Sequence, residues 1–424
     1  MSRISRLKAP CFLAVASLLC THGALLAQTI PSMPLSTFQD SLGVNTHIEY
    51  TDGKYADATA VLNDLRLIGI HNLRDGIPDP INWLPRGQAI NAMHMLAENS
   101  IRFNFVSGCN SDFNSQMQQL DAMVQAYPGV ALSVEGPNEI NNWPCTGGSS
   151  NEAAAEAFQK RLYAGVHGNP HLNGVPVYYM TGAAPVDLQT QPGFADVANT
   201  HPYPYKGVQP FARLESDFNS YFTMTGNYPK AITETGYATI PNPSDPDGVD
   251  ESAQAEMIMN TYFDAALQGV SHTYVYQLLD PYPDPQGKNS DDNFGFFHLD
   301  NSPKVIAYAL QHLAKVLPAD KASPQQTVQA QITGLPNGTG HALALTGSDG
   351  SIALFMWNEA PVWNQANQSL NWVTPVPVQV QMNGSWDVSY FTPAEDVTRP
   401  VSQVNGHYQT YVASYPNALI FRKK

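Results

Sequence analysis

Two short segments each place a glutamate just after a run that reads as a buried strand: Val134 to Glu139 (VEGPNE) and Ala231 to Tyr237 (AITETGY). One carboxyl that donates a proton and a second that attacks are the equipment for cleaving the acetal between two sugars. In the double-displacement version of that reaction the two groups stand about 5 to 5.5 Å apart, one protonated and one ionised. Glu139 and Glu234 therefore need a fold that brings two distant strand ends to one opening.

The chain supplies a candidate. From about residue 41 to residue 317, short apolar runs alternate with longer helical patterns, which is the signature of a parallel sheet wrapped by crossover helices. Strand candidates start near Leu42, Ile70, Ile101, Val130, Val175, Val197, Ala231 and His272. Between them Val61, Leu65 and Ile68 share one helical face, as do Ala154, Phe158, Leu162 and Val166, with Ser149 and Glu152 spaced as a capping box. Eight strand and helix pairs in this length fit a (β/α)8 barrel spanning residues 28–320. An open doubly wound sheet is the alternative, but no glycine-rich phosphate fingerprint follows the first strand. After Leu317 the pattern becomes strand-like alternation with turns at Asp349-Gly350 and Asn383-Gly384, which predicts a small all-β sandwich over residues 321–424.

Active sites of such barrels lie at the carboxyl ends of the strands, so the polar residues there carry the functional weight. They are Asn45 and His47; Arg74 and Asp75; Ser107 and Cys109; Asn138 and Glu139; His201 and Tyr203; Glu234; and Gln277 and Asp280. An Asn-Glu pair after the fourth strand, a His-x-Tyr element after the sixth and a lone Glu after the seventh resemble the clan A retaining glycoside hydrolases. The layout is most similar to families 39, 5 and 30, and the segment Phe294 to Leu310 is similar to the loop and helix that close many such barrels. The resemblance implies Glu139 as general acid and base and Glu234 as nucleophile. It further implies that Asn138 binds the hydroxyl beside the reacting carbon, and that Tyr203 and Arg74 steady Glu234. Proximity to the Glu234 anion is expected to raise the pKa of Glu139.

Other positions are open. Many clan members carry a tryptophan on strand eight as a floor for the sugar; here Tyr276, Gln277 and Leu278 stand instead, with Gln277 a candidate substrate contact. Trp143, four residues past Glu139, is either the missing aromatic face or a loop anchor. His47 and His201 are ligands, sugar contacts or core histidines, and Glu135 reads as a buried carboxylate paired with Arg74 or Arg102 rather than as a second acid. Asp245, Asp247 and Asp250 faintly resemble a calcium loop but lack the spacing of a complete site. Tyr203, Tyr205, Tyr237 and Tyr282 add to the aromatic enrichment of the strand-end loops, which suits the apolar faces of carbohydrate rings.

Bulk properties place this chemistry outside the cytoplasm. Arg3, Arg6 and Lys8, an apolar run and small residues ending at Ala27 read as a secretory signal over residues 1–27; a lipoprotein anchor at Cys20 is disfavoured by Leu18 and Leu19 before it. No later segment is apolar enough to span a bilayer as a helix, so a secreted or periplasmic protein is expected. The formal charge of -15 falls to about -18 once the signal is removed, which repels nucleic acid and anionic lipid. Cys109 and Cys145 remain as a disulfide or two buried thiols. No zinc-type spacing and no cofactor motif appears, and the expected partner is a carbohydrate, with the oligomeric state open. The competing readings are a noncatalytic carbohydrate-binding or envelope protein on the same barrel, and a metal-dependent barrel hydrolase.

Overall fold

The computed structural model describes residues 28–78, 86–182, 193–220, 228–240, 248–320 and 322–424. The expected secretory segment, and Asp245 and Asp247 of the acidic run, lie outside these residues. The chain enters through two short strands, β1 (Gln28–Ile30) and β2 (Ser32–Pro34), and a helix α1 (Leu35–Ser41). Eight parallel strands follow: β3 (Leu42–Asn45), β4 (Asn72–Gly76), β5 (Arg102–Val106), β6 (Ala131–Glu135), β7 (Val177–Tyr178), β8 (Ala198–Thr200), β9 (Lys230–Ile232) and β10 (Val270–Val275). They hydrogen-bond in the order β7-β6-β5-β4-β3-β10-β9-β8, and a parallel bridge from Tyr178 to Val197 closes the ring. All eight expected strands are present, and the fold is a (β/α)8 barrel followed by a β sandwich.

Helices α2 (Ala58–Ile68), α3 (Arg86–Glu98), α4 (Phe113–Ala126), α5 (Asn151–Gly168), α6 (Phe211–Ser220), α7 (Glu251–Leu267) and α8 (Val305–Val316) accompany the barrel. Their ends follow capping chemistry. Asp57 accepts from the Ala60 amide at the start of α2, which buries Val61, Leu65 and Ile68 and stops at Gly69, whose φ of 71° suits glycine. The cap of α5 is Ser150, accepting from the Ala153 amide, one residue beyond the expected Ser149. Asp250, which the sequence groups with an acidic run, caps α7 through the Ala253 amide.

Register decides what fills the barrel. Asn45 pairs with Arg74, Arg74 with Asn104, and Asn104 with Ser133, so neighbouring strands present a polar layer at one height. Phe103, Val134 and Val44 are buried around it. The barrel is packed with residues that position one another rather than left open.

Apart from a short hairpin of Trp363–Asn364 and Ser369–Leu370, the remaining strands form two antiparallel-rich sheets. One contains β1, β11 (Val328–Thr333), Val376–Met382, His407–Val412 and Gln403–Val404; the other contains β2, β12 (Gly340–Thr346), β13 (Ile352–Asn358), Asn417–Lys423, Trp386–Phe391 and Thr398–Pro400. Residues 28–34 thus add a strand to each sheet before the chain enters the barrel. Sandwich and barrel share one apolar core: Phe263 of α7 lies 4.6 Å from Phe38, 4.5 Å from Phe355 and 5.8 Å from Trp357, ring centre to ring centre. Trp357 donates to Asp264 at 2.9 Å across the same contact. The Phe355→Ala variant should lose about 3–5 kcal/mol in denaturant unfolding; a loss under about 1 kcal/mol would show that this contact does not join the two cores.

Candidate active site

Arg74, at the end of β4, organises the barrel mouth. Its Nε and Nη2 donate to Glu135 at 2.9 and 2.8 Å, Nη1 donates to Asn45 at 3.0 Å and Glu234 at 2.5 Å, and Nη2 also donates to Asn138 at 2.7 Å. These contacts use all five guanidinium donors. Burial opposes the charge on Arg74, but Glu135 and Glu234 outweigh it and hold its pKa above the ordinary value. Glu135, 0 % exposed, also accepts from Asn104 at 2.6 Å and lies 3.1 Å from the Thr233 hydroxyl. Of the two partners the sequence allowed for Glu135, the structure selects Arg74, since Arg102 bonds Asp40 and Asn72.

Glu234 stands just past β9 and is 9 % exposed. Arg74 holds Oε1, and the Tyr203 hydroxyl donates to Oε2 at 3.1 Å. Burial, then the Glu234 charge, push the Tyr203 hydroxyl well above its ordinary range, so it remains a donor. Glu139 lies beyond β6 with a left-handed φ of 39°, and its backbone carbonyl accepts from the amides of Asn142 and Trp143 at 2.8 and 2.9 Å. One carboxyl oxygen of Glu139 contacts His201 Nδ1 at 2.9 Å and the other accepts from Asn142 at 3.0 Å.

The hydrogen-bond inventory then locates a proton. The Thr233 hydroxyl faces two acceptors, Asn199 Oδ1 at 2.8 Å and Glu135 at 3.1 Å, so its single hydrogen is spent on one of them. Asn199 is oriented by its amide donating to the Tyr179 carbonyl at 3.2 Å. His201 Nε2, 3.0 Å from the same hydroxyl, must therefore carry a hydrogen and donate. The contact between His201 Nδ1 and Glu139 needs one further proton, which the two groups share.

The charges agree. Burial works against the Glu139 anion, but the hydrogen bond from His201 and its charge, then Asn142 and Arg74, bring its pKa below the ordinary 4.5. Burial likewise opposes the His201 cation, yet Glu234 and the bond to Glu139 lift it above 6.5. The expected rise at Glu139 from the Glu234 anion is reversed, because His201 stands between the two carboxylates. One oxygen of each glutamate and a nitrogen of His201 lie within 4.8 Å of one another, and His201 Nδ1 is 3.6 Å from Glu234. This trio is also the one grouping among the described residues compact enough to hold a metal ion. The Arg74 guanidinium, bonded to the other oxygen of Glu234, already supplies a positive charge to this group.

The cleft has a volume of about 670 Å³. His47, Asn138, Glu139, Trp143, His201, Tyr203 and Glu234 all line it. Arg74 does not; it lies beneath the carboxylates and positions them. Gln277, expected as a substrate contact, is also absent from the lining. It is 0 % exposed, accepts from Tyr55 at 3.0 Å and donates to the Asp291 carbonyl at 2.7 Å, so both ends of its amide are used behind the wall. The strand-eight wall is aromatic without a tryptophan. Tyr203 meets Phe294 at 5.8 Å, Phe294 meets Tyr276 at 5.4 Å and Tyr276 meets His47 at 5.4 Å, all edge to face, and His47 stacks on Tyr50 at 4.5 Å. His47 also bonds the Tyr276 hydroxyl at 3.1 Å. Tyr276 and Phe294 thus form the aromatic wall that Trp143 was considered for.

The sequence reading missed Asn142, Thr233, Asn199 and two further acids of the cleft, Glu49 and Asp291. Glu49, two residues past His47 at the same strand end, is the one with a readable signal. It stands beside Asp75, and burial pushes both carboxyls up. Burial, then Asp292 and Glu234, also push Asp291 up. Cys109 and Cys145 form a disulfide that ties the loop after β5 to the loop carrying Asn142 and Trp143. A second hollow of about 680 Å³, lined by Trp386 and Tyr408 of the sandwich, contains no facing acid pair.

Among solved structures the chain is similar to a family 39 glycoside hydrolase from Bacteroides cellulosilyticus WH2, with TM-score 0.59, 16% identity and coverage of 93% of this chain and 83% of that one. It is also similar to a monomeric β-xylosidase from Caulobacter crescentus CB15, with TM-score 0.54, 13% identity, and coverage of 93% and 99%. A family 39 β-xylosidase from Caulobacter crescentus gives TM-score 0.52 at 13% identity and the same coverage. No protein-family model matches the chain, and no curated protein matches it. The fold, a (β/α)8 barrel with a β sandwich, is therefore shared with these structures.

The stability contributed by the His201 and Glu139 pair has a defined pH window. The raised His201 contributes fully below its ordinary 6.5, and its contribution is lost as pH climbs through the folded value. The lowered Glu139 contributes above its ordinary 4.5 and loses this as pH falls through the folded value. The pair therefore stabilises the fold most between pH 4.5 and 6.5. By NMR, His201 should titrate above 6.5 in the wild type and lower in Glu139→Gln; an identical titration in both would break the proposed coupling.

Proposed function

We propose that this chain is an exported retaining glycoside hydrolase, with Glu234 as nucleophile and Glu139 as general acid and base. The observation that carries the reading is the arrangement of the two carboxyls. Oxygens within 4.8 Å of each other belong to one glutamate charge-paired with Arg74 and to another that shares a proton with His201. This spacing suits direct attack and is shorter than the roughly 6.5–9.5 Å that inverting pairs keep between their carboxyls.

In the first step Glu234 attacks the anomeric carbon as the bond to the leaving oxygen breaks. The proton held between His201 and Glu139 passes through Glu139 to that oxygen. The glycosyl-enzyme ester is then cleaved by water, which gives its proton back to Glu139 and its oxygen to the anomeric carbon. Asn138, fixed by Arg74, faces the hydroxyl next to the reacting carbon, and Tyr203 and Arg74 hold Glu234 in line. The Cys109–Cys145 disulfide, a bond that persists in oxidising compartments, supports export.

The cleft also narrows the substrate class. Its lining carries Glu49, Glu139, Glu234 and Asp291 but no lysine or arginine among the described residues. A carboxylate-bearing sugar would meet these acids with no cationic side chain in the lining to pair with, which disfavours it. The substrate is therefore a neutral glycan, and the β-xylosidase activity named for two structural neighbours makes β-xylosides the first candidates.

The test is a panel of aryl glycosides of both anomers with two variants. Glu234→Gln should abolish turnover. Glu139→Ala should cost about 10²–10⁴-fold on poor leaving groups and far less on activated ones; equal, small losses in both variants would overturn the assignment. Within the panel, neutral glycosides should exceed the matching uronides in kcat/KM by on the order of a hundredfold, and a preference for uronides would contradict the charge argument.

A further inference from the structure

The two walls of the cleft are built for different tasks, and the one beside Glu139 is not explained by the chemistry at the anomeric carbon. Trp143 lines the cleft there yet is 67 % exposed, although most of its bulk is apolar. A tryptophan left in water at a cleft wall has a face free for a ring to cover.

Its loop is held in several independent ways. The amides of Asn142 and Trp143 both donate to the Glu139 carbonyl, at 2.8 and 2.9 Å. Asn110 donates to the Pro144 carbonyl at 3.0 Å and accepts from the Thr146 amide at 3.1 Å. Asn151 accepts from the Cys145 amide at 2.8 Å and donates to the Ile140 carbonyl at 2.7 Å, and the disulfide joins Cys145 to Cys109. An exposed indole on so constrained a loop presents its face with little ordering left to lose on binding.

The position of the acid decides which part of the substrate that face meets. Glu139 protonates the oxygen of the leaving group, so residues bonded to its backbone stand on the leaving-group side. The opposite wall, Tyr276, Phe294 and His47, stands on the side of the sugar that becomes attached to Glu234. We propose that Trp143 is the platform for the first sugar of the leaving group, held in place by the Cys109–Cys145 bridge. The natural substrate is then a saccharide chain with rings on both sides of the cleaved bond, rather than a sugar attached to a small alcohol. This rests on the glycosidase reading given above.

The experiment compares two substrates of the neutral sugar that reacts fastest in the aryl glycoside panel: its glycosyl fluoride, whose leaving group has no ring, and its linear trisaccharide. Trp143→Ala should lower kcat/KM for the trisaccharide about tenfold more than for the fluoride, mainly through KM, and Trp143→Phe should recover most of the difference. Cys109→Ser with Cys145→Ser should shift the same ratio in the same direction. Equal losses on the two substrates, or none, would overturn the platform while leaving the glycosidase reading intact. A folded wild type that turns over neither substrate would overturn both.

Discussion

The arginine at the end of β4 is the constraint on which the site depends. A guanidinium has five donors in one plane, and burying it is tolerable only if every one finds an acceptor and its charge is balanced. Arg74 meets both conditions with four residues from three other strand ends: Asn45 at β3, Glu135 and Asn138 at β6, and Glu234 at β9. Its planarity thereby fixes the relative positions of residues far apart in the chain. The placement of Glu234, the orientation of Asn138 and the burial of Glu135 all follow from that requirement. A lysine, with three donors on a flexible stem, could not satisfy the same set.

Much of this layout was legible in the sequence because barrel strands announce themselves by apolar runs, and their carboxyl ends follow by counting. Arg74, Asn138, Glu139, His201, Tyr203 and Glu234 converge for that reason. The misses have a common cause. Gln277 occupies a strand-end position like the others, but whether such a side chain enters the cleft or turns behind the wall depends on a backbone path that one sequence does not specify. Asn142 bonds Glu139 only because the loop after β6 doubles back, and Thr233 becomes part of the proton inventory only once Asn199 is oriented by a carbonyl of the neighbouring strand. Charge coupling was misjudged for a related reason: two acids were foreseen, but not the histidine between them.

The sandwich contributes to the site at a distance. The segment following β8 carries His201 and Tyr203 and then reaches Gly207, whose φ of 63° and close approach to the Trp363 ring leave no room for a side chain. Two residues on, Gln209 donates to the Ala360 carbonyl at 2.7 Å and its side-chain oxygen accepts from Asn260 of α7. The loop that positions the shared proton is thus anchored on a layer outside the barrel, and the shared core around Phe263 keeps that layer in place.

The leading strands β1 and β2 have their partners, β11 and β12, some 300 residues later in the chain. The segment in between is the whole barrel, so the sandwich is a clasp whose two halves flank everything else. During synthesis the first half has nothing to pair with until the last hundred or so residues emerge, and such long-range pairing is slow by its topology. The barrel therefore has to form, or wait, between two open halves of the layer that finally locks it, and that lock is the last part to be delivered.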